Sequence, residues 1–507
     1  MFRSLATVIL SGLLLSKAMA AQDFAEKLFV DPVFPHSLVG ATAETSDQRS
    51  QVLRLNASLA TTLRDASIAS PPRLLLNLFP NERHTAILEK REILGPGRVL
   101  CRASIEGQPG SQMLMALSGD AVAASILIPS RGGFQIQYAG GGLQRITRID
   151  GGEIPVCGTC QKAPAVRPEQ IVESPSQPSQ SAPPPPPPPP PSPPYTGTNV
   201  IIDLLIVYTP AARDGAGGDD GIIALIDVAV SEANSTLENS RVNARVRLVH
   251  RAEVAYDESG DIYEDLSYVE QGDSNQGVIP EIGRLHRQYQ ADLVCLITET
   301  TGGPIGLANQ MQDIDVNFGR QAFSVVQRGF ANAYYVLAHE LGHNMGCQHD
   351  RAYTAGDGAF TFSHGHRFVT TNFTYHTAMA QQPGLPIPYY SNPDVLFMGV
   401  PTGIPEDQPG AANNARTINL TAATVAQFSS LLPAPMFDLR RLADGTFQLR
   451  ATGPEGQSFR IDVSENLNDW TALLTNQFLG GQFEFIDVDA VNYRNRFYRI
   501  YGESDAR

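Results

Sequence analysis

The alternation of apolar and polar positions divides this 507-residue chain into stretches of different character. Between about residues 21 and 165, apolar residues recur at every second position between glycine turns, as in "AVAASILIPS" (121–130) and "GFQIQYAGGGLQRITRID" (133–150). A period of two places successive side chains on opposite faces of a sheet, so this part is expected to be β-rich. The pattern then stops. "SPSQPSQSAPPPPPPPPPSPPY" (174–195) is too rich in proline for helix or sheet, and reads as a stiff, extended polyproline spacer at 166–197. From residue 198 the rhythm alternates between strand and helix. "VIIDLLIVY" (200–208) is a buried strand, a helix near 220–238 follows "GGDD", which can cap it, and "NARVRLVH" (243–250) and "ADLVCLIT" (291–298) are further strands. "FANAYYVLAHELGHNM" (330–345) carries apolar residues at Phe330, Ala333, Tyr334, Leu337, Ala338 and Leu341, a helical period. Past residue 433, four short alternating segments with turns between them predict a separate all-β module, with the single tryptophan, Trp470, in its core.

Composition adds the compartment. The formal net charge is −15, which argues against nucleic acid and anionic membranes as partners, since both call for basic patches. Residues 1–20 combine Arg3, an apolar run (5–15) too short to span a bilayer, and a small-x-small "AMA" (18–20). They read as a secretory signal peptide, so the protein is expected to be exported, soluble and monomeric. The five cysteines, Cys101, Cys157, Cys160, Cys295 and Cys347, are too few for a disulfide scaffold and leave at least one thiol over.

The chemistry concentrates in "HELGHNMGCQHD" (339–350). His339 and His343, four apart, share one helix face and can reach one ion. His349 lies six residues further on, which a straight helix would carry about 9 Å along its axis. Gly346 intervenes, and glycine adopts left-handed angles cheaply, so the helix can end there and the chain turn back. Three neutral imidazoles with an open fourth position are the donor set of catalytic zinc, and Glu340, beside the first ligand, suits a general base. Asp313 and Asp315 could hold calcium, but no calcium-loop spacing surrounds them. His364 and His366 form an HxH pair with ordinary strand surroundings. His36, His84, His250, His286 and His376 stand alone and receive no role.

This motif resembles the long zinc motif of metzincin proteases, and Asp350 after the third histidine resembles the reprolysin/adamalysin branch. The likeness spans roughly residues 198–430. It implies a metzincin α/β catalytic domain with a mixed twisted sheet (198–432), a β-rich propeptide (21–165) and a C-terminal β-sandwich module (433–507). It implies a methionine turn at Met379, in "YHTAMAQQPG", and a following segment, "PIPYYSNPDV", that shapes one side of the cleft. "GGPIGLANQM" (302–311) would be the edge strand, which binds an extended peptide through its unpaired backbone. "PVCGT" (155–159) resembles a cysteine-switch segment, making Cys157, with Cys160 as the alternate, a thiolate ligand that keeps a proenzyme latent. Cys157 and Cys160 could instead pair with each other, or either with Cys101. Gly303 and Gly329 stand where relatives usually carry cysteines, while Cys295 and Cys347 could pair only if their Cα atoms lay within about 7 Å. The implied activity is zinc-dependent endopeptidase action on proteins or peptides. The competing reading is a secreted binding or adhesion protein on a degenerate protease fold, whose signature would be a lost ligand or a lost glutamate.

Overall fold

The computed structural model describes residues 25–30, 50–65, 73–151, 157–159, 200–272, 278–300, 302–354, 356–370, 373–431, 436–453, 456, 458–467 and 469–502. The residues read as a signal peptide (1–20), the proline spacer and Cys160 lie outside these residues. Two compact units divide the chain, Met1–Arg148 and Ile149–Arg507.

In the first unit, ten strands between Glu26 and Ile149 form one sheet. The period of two becomes burial directly: Arg98–Ile105 alternates half-buried and buried residues along its length. The buried set, including Leu76, Met113, Leu117, Phe134 and Ile136, packs with Leu59 and Leu63 of the helix Ala57–Arg64.

The second unit is built on a five-stranded sheet. In order across it lie Ala244–Glu253, Val200–Tyr208, Leu293–Thr298, Phe323–Gln327 and Gly306–Ala308. The first four run parallel, and Gly306–Ala308 closes the edge antiparallel to Phe323–Gln327. Leu293–Thr298 is buried at every position, because parallel strands joined by helical crossovers are covered on both faces. The edge strand sits where the sequence places it.

Two helix starts differ from expectation. The long helix is Asp219–Asn239, and its N-cap is Gly218, with no side-chain cap. Asp219 and Asp220 instead occupy its first turn, where negative charge meets the positive end of the helix dipole. The histidine-bearing helix begins only at Val336, not at Phe330. Ala333 (φ 68°) and Tyr335 (φ 59°) are left-handed. The buried Glu232 carboxylate takes the Ala333 N–H at 2.6 Å, a donor that a continuous helix would have turned along its own axis.

Residues 436–502 fold as two three-stranded antiparallel sheets around Leu449, Phe459, Ile461 and Phe478. Trp470 is half-buried rather than central. Its ring carries the Arg499 guanidinium 4.4 Å above it, and its N–H donates to the Leu467 carbonyl at 3.0 Å. Among the described residues, no helix is long and apolar enough to cross a membrane.

Candidate metal centre

The helix Val336–Asn344 presents His339 and His343 on one face. Immediately after it, Gly346 adopts φ 92°, and a Cβ there would lie 2.8 Å from that of Ala359. The chain then turns back. Gln348 N–H donates to the Ser363 carbonyl at 2.7 Å, and Gly365 N–H donates to that of Gln348 at 3.0 Å. This short bridge returns His349 to the helix. The three Nε2 atoms lie 2.9 Å (His339–His349), 3.0 Å (His343–His349) and 3.2 Å (His339–His343) apart.

Backbone carbonyls set the tautomers. His339 Nδ1 is 2.6 Å from the Ala378 oxygen, and His343 Nδ1 is 3.0 Å from that of Cys347. A carbonyl only accepts, so each Nδ1 carries the proton and each Nε2 turns a lone pair inward. Burial pushes the His339 imidazolium down to about 4, and holds His343 and His349 well below the ordinary histidine range. All three are therefore neutral, the form that ligates metal. Tetrahedral ligands about 2.0–2.1 Å from zinc sit roughly 3.3 Å from one another, close to the observed spacing. Converging lone pairs repel unless a cation lies between them, so the donor set fits zinc. Among the described residues the group of possible ligands is Cys157, His339, His343 and His349, all buried, with ligand atoms within 4.8 Å of one another. Asp313 and Asp315 join no such group, and Asp315 caps a short 3-10 helix.

Glu340 is fully buried beside the triad, and its Oε1 has no hydrogen-bond partner. Burial pushes its carboxyl up to about 8. The edge strand makes room for it, since a Cβ on Gly306 would collide with Oε1. Cys157 Sγ lies 3.6 Å from Glu340 Oε2 and 3.7 Å from His343 Nε2. The two following residues lie along the edge strand. Gly158 N–H donates to the Gly306 carbonyl at 2.9 Å, and Thr159 Oγ1 lies 3.2 Å from both the carbonyl and the N–H of Ala308.

Met379 is fully buried under the helix. A Cβ on Gly342 would run into its Sδ and come within 3.2 Å of the Tyr390 ring, while Tyr390 donates to the Ala338 carbonyl at 2.6 Å. The floor is thus filled to contact. Gly342→Ala should destabilise the protein by about 1–3 kcal/mol through overpacking, although alanine ordinarily favours a helix by up to about 1 kcal/mol. Urea unfolding checks this, and unchanged or greater stability would mean the floor yields.

Asp350 pairs with Arg367 at 2.6 Å and steadies the turn. Cys295 and Cys347 are free thiols, as is Cys101, so the Cys295–Cys347 pairing does not occur. Among the described residues, His364 belongs to no second metal group. Its Nδ1 is 2.8 Å from the His349 carbonyl and its Nε2 3.0 Å from Asp357, so it holds the third ligand from behind. Sequence reasoning left both His364 and His376 without this setting. His376 lines the cavity beside Glu340. A lone histidine carries no spacing signal that could have found it.

Residues 198–389 match Reprolysin_5, described as Metallo-peptidase family M12. The chain is 27% identical over 435 residues to a peptidyl-Asp metalloendopeptidase of Stenotrophomonas maltophilia (strain R551-3), covering 82% of this chain and 97% of that protein. It is 28% identical over 394 residues to one of Xanthomonas campestris pv. campestris, covering 76% and 90% respectively. Against one of Pseudomonas aeruginosa, identity is 29% over 255 residues, 45% of this chain and 40% of that protein.

Proposed function

We propose that residues 198–389, which match the family M12 metallo-peptidase model, form a reprolysin-like zinc metallopeptidase unit, and that the chain is a secreted, latent endopeptidase that cuts beside aspartyl residues. The observation that carries this reading is the convergence of three neutral imidazole nitrogens next to a buried carboxylate whose Oε1 has no partner, in the cleft beneath an edge strand. The degenerate-fold alternative lacks its signature, because no ligand and no glutamate is missing.

His339, His343 and His349 hold the metal. A zinc ion there supplies a Lewis acid that lowers the pKa of water and polarises a carbonyl. Gly306–Ala308 pairs with the backbone of an extended substrate, which lays the scissile bond across the triad. Glu340 takes the proton of the attacking water as its oxygen bonds to the scissile carbon. It then passes that proton to the nitrogen as the carbon–nitrogen bond breaks. Met379 and Tyr390 support the helix from below, and Asp350 with Arg367 fixes the returning turn. The Cys157 thiolate would hold the metal as a further ligand in the latent chain. The aspartyl preference is carried over from the relatives' names. Residues 1–20 direct export, 21–165 with the 166–197 spacer form the propeptide, 198–432 is the catalytic domain, and 433–507 is an accessory β-sandwich module. The acidic chain acts as a monomer on peptide, without nucleic acid or membrane.

His349→Ala tests the site. It should bind less than stoichiometric zinc and lose turnover in parallel, whereas the parent binds one zinc per chain and is silenced by a chelator. Full zinc in the variant, measured by metal analysis, would remove His349 from the ligand set.

A further inference from the structure

Gln381 stands two residues past Met379, and the chemistry proposed above gives it no part. It is 7% exposed and lines the same cavity as His339, Glu340 and Cys157. Its amide Nε2 lies 3.2 Å from His349 Nε2, and among the described residues its side chain makes no other hydrogen bond. The turn that carries it is fixed. Ala378 N–H donates to the Tyr389 carbonyl at 2.7 Å and Ala380 N–H to that of Thr377 at 2.9 Å. Gln381 N–H donates to the Asp350 carboxyl group, which Arg367 holds at 2.6 Å. A Cβ on Gly365 would come within 2.6 Å of the Ala380 nitrogen, so this turn packs backbone against backbone. Resting on the endopeptidase reading above, we propose that Gln381 is a further catalytic residue, whose amide N–H donates to the oxygen of the scissile carbonyl as that oxygen gains negative charge.

The assignment follows from what the amide can do and where it stands. An amide nitrogen only donates, so it meets the lone pair of His349 Nε2. That lone pair is the one His349 gives to a metal, so a loaded triad takes the amide's acceptor away. Buried donors are almost always paired, and this one needs a new acceptor close to His349 Nε2. Groups that share one zinc stand roughly 3.3 Å apart, so the reacting oxygens come within a small side-chain rotation of the amide. Two such oxygens are candidates. A donor to the attacking water would draw electron density from the nucleophile, whereas a donor to the carbonyl oxygen follows charge as it develops. As the water oxygen bonds to the scissile carbon, the carbonyl electron pair moves onto its oxygen. Glu340 holds the proton, and Gln381 keeps both of its hydrogens throughout. Tyr334, His376 and Gln382 also line the cavity, but among the described residues none of them hydrogen-bonds a triad nitrogen. The rigid turn gives the donor its value, since a donor already aimed costs no reorganisation when the charge appears.

The test uses the zinc-loaded protein as its host secretes it, a fluorogenic peptide that it cuts, and a phosphinic peptide of the same sequence. The phosphinic group copies the tetrahedral, charged centre and is not hydrolysed. Gln381→Leu should keep one zinc per chain and lower kcat roughly 10²–10³-fold, the usual loss for one such donor, with KM within about threefold. Its affinity for the phosphinic peptide should fall by about the same factor as kcat/KM, because both read the transition state. Affinity for the uncut peptide, measured by calorimetry on Glu340→Ala chains with and without Gln381→Leu, should change by less than about threefold. Gln381→Glu puts an acceptor where the donor stood and should be no faster than Gln381→Leu. A Gln381→Leu chain with parental kcat and parental phosphinic affinity overturns the proposal and leaves the endopeptidase reading intact. Equal losses of affinity for the uncut and the phosphinic peptides mark a merely structural role and overturn it as well. Weaker zinc retention in Gln381→Leu that Gln381→Glu restores assigns the amide oxygen to the metal, again against the proposal. A parent that holds zinc and cuts no peptide removes the endopeptidase reading, and the proposal with it.

Discussion

Replacing Glu340 with alanine leaves zinc in place and lowers kcat by roughly 10²–10⁴-fold, the usual contribution of a positioned general base. That loss corresponds to about 3–5 kcal/mol of transition-state stabilisation. The separation of metal binding from turnover follows from the geometry. The three ligand nitrogens are oriented by the Ala378 and Cys347 carbonyls and by the chain turn at Gly346, none of which involves Glu340. The fold should also tolerate the change. Oε1 forms no hydrogen bond and Oε2 meets only the Cys157 thiol, 3.6 Å away, so few partners are lost, and the removal takes away a carboxyl that burial already disfavours as an anion. Glu340→Gln keeps the shape and cannot accept a proton, so it should be as slow as the alanine variant. Metal analysis alongside steady-state kinetics decides the matter. A variant with stoichiometric zinc and near-parental turnover would sink the assigned role.

Cys157→Ala in the full-length chain should raise activity at least about tenfold without removal of residues 21–197, a change that about 1.4 kcal/mol of lost inhibition would produce. The sulfur is the one proposed inhibitory atom that reaches the triad, and thiolate is a strong zinc ligand. The segment is held twice over, however. Gly158 and Thr159 pair with Gly306 and Ala308, and Tyr263 donates to the Gly158 carbonyl at 3.2 Å. A Cβ on Gly158 would meet Tyr263 Oη at 3.0 Å and Leu307 at 3.1 Å, so the segment lies tightly against the strand that substrate needs. Activation should therefore be partial, and Cys157→Ala with Gly158→Val should exceed Cys157→Ala alone. Progress curves on a peptide substrate, with electrophoresis to show that the chain stays intact, read both. A Cys157→Ala, Cys160→Ala chain as latent as the parent would assign the inhibition to coverage of the cleft alone.

How far the site was legible depends on the range of the interactions that build it. His339 and His343 are one helical turn apart, Glu340 is adjacent, and Gly346 is the residue whose backbone freedom lets His349 return. Each of these relations lies within twelve residues and is governed by local stereochemistry. The strands Val200–Tyr208 and Leu293–Thr298 were legible for the same reason, since a continuous apolar run has few places to go except a covered sheet. The helix start at Val336 was not. Phe330, Ala333 and Tyr334 satisfy the helical period, but Glu232, about a hundred residues earlier, removes the Ala333 N–H from any helix.

By itself, then, the sequence picked out the three histidines that converge, the glutamate beside them, the turn that joins them and the order of strands and helices in residues 200–345, because spacing along the chain encodes contacts within a few residues. Only the tertiary structure decided the rest. It set the Cys157 sulfur 3.7 Å from His343 across 186 positions of chain. It braced His349 from behind with His364, and it brought His376 to the cavity beside Glu340. A lone histidine or glutamine has no period and no neighbour pattern. Whether its nitrogen is satisfied, exposed or waiting for a ligand is settled by what distant segments bring against it when the core closes.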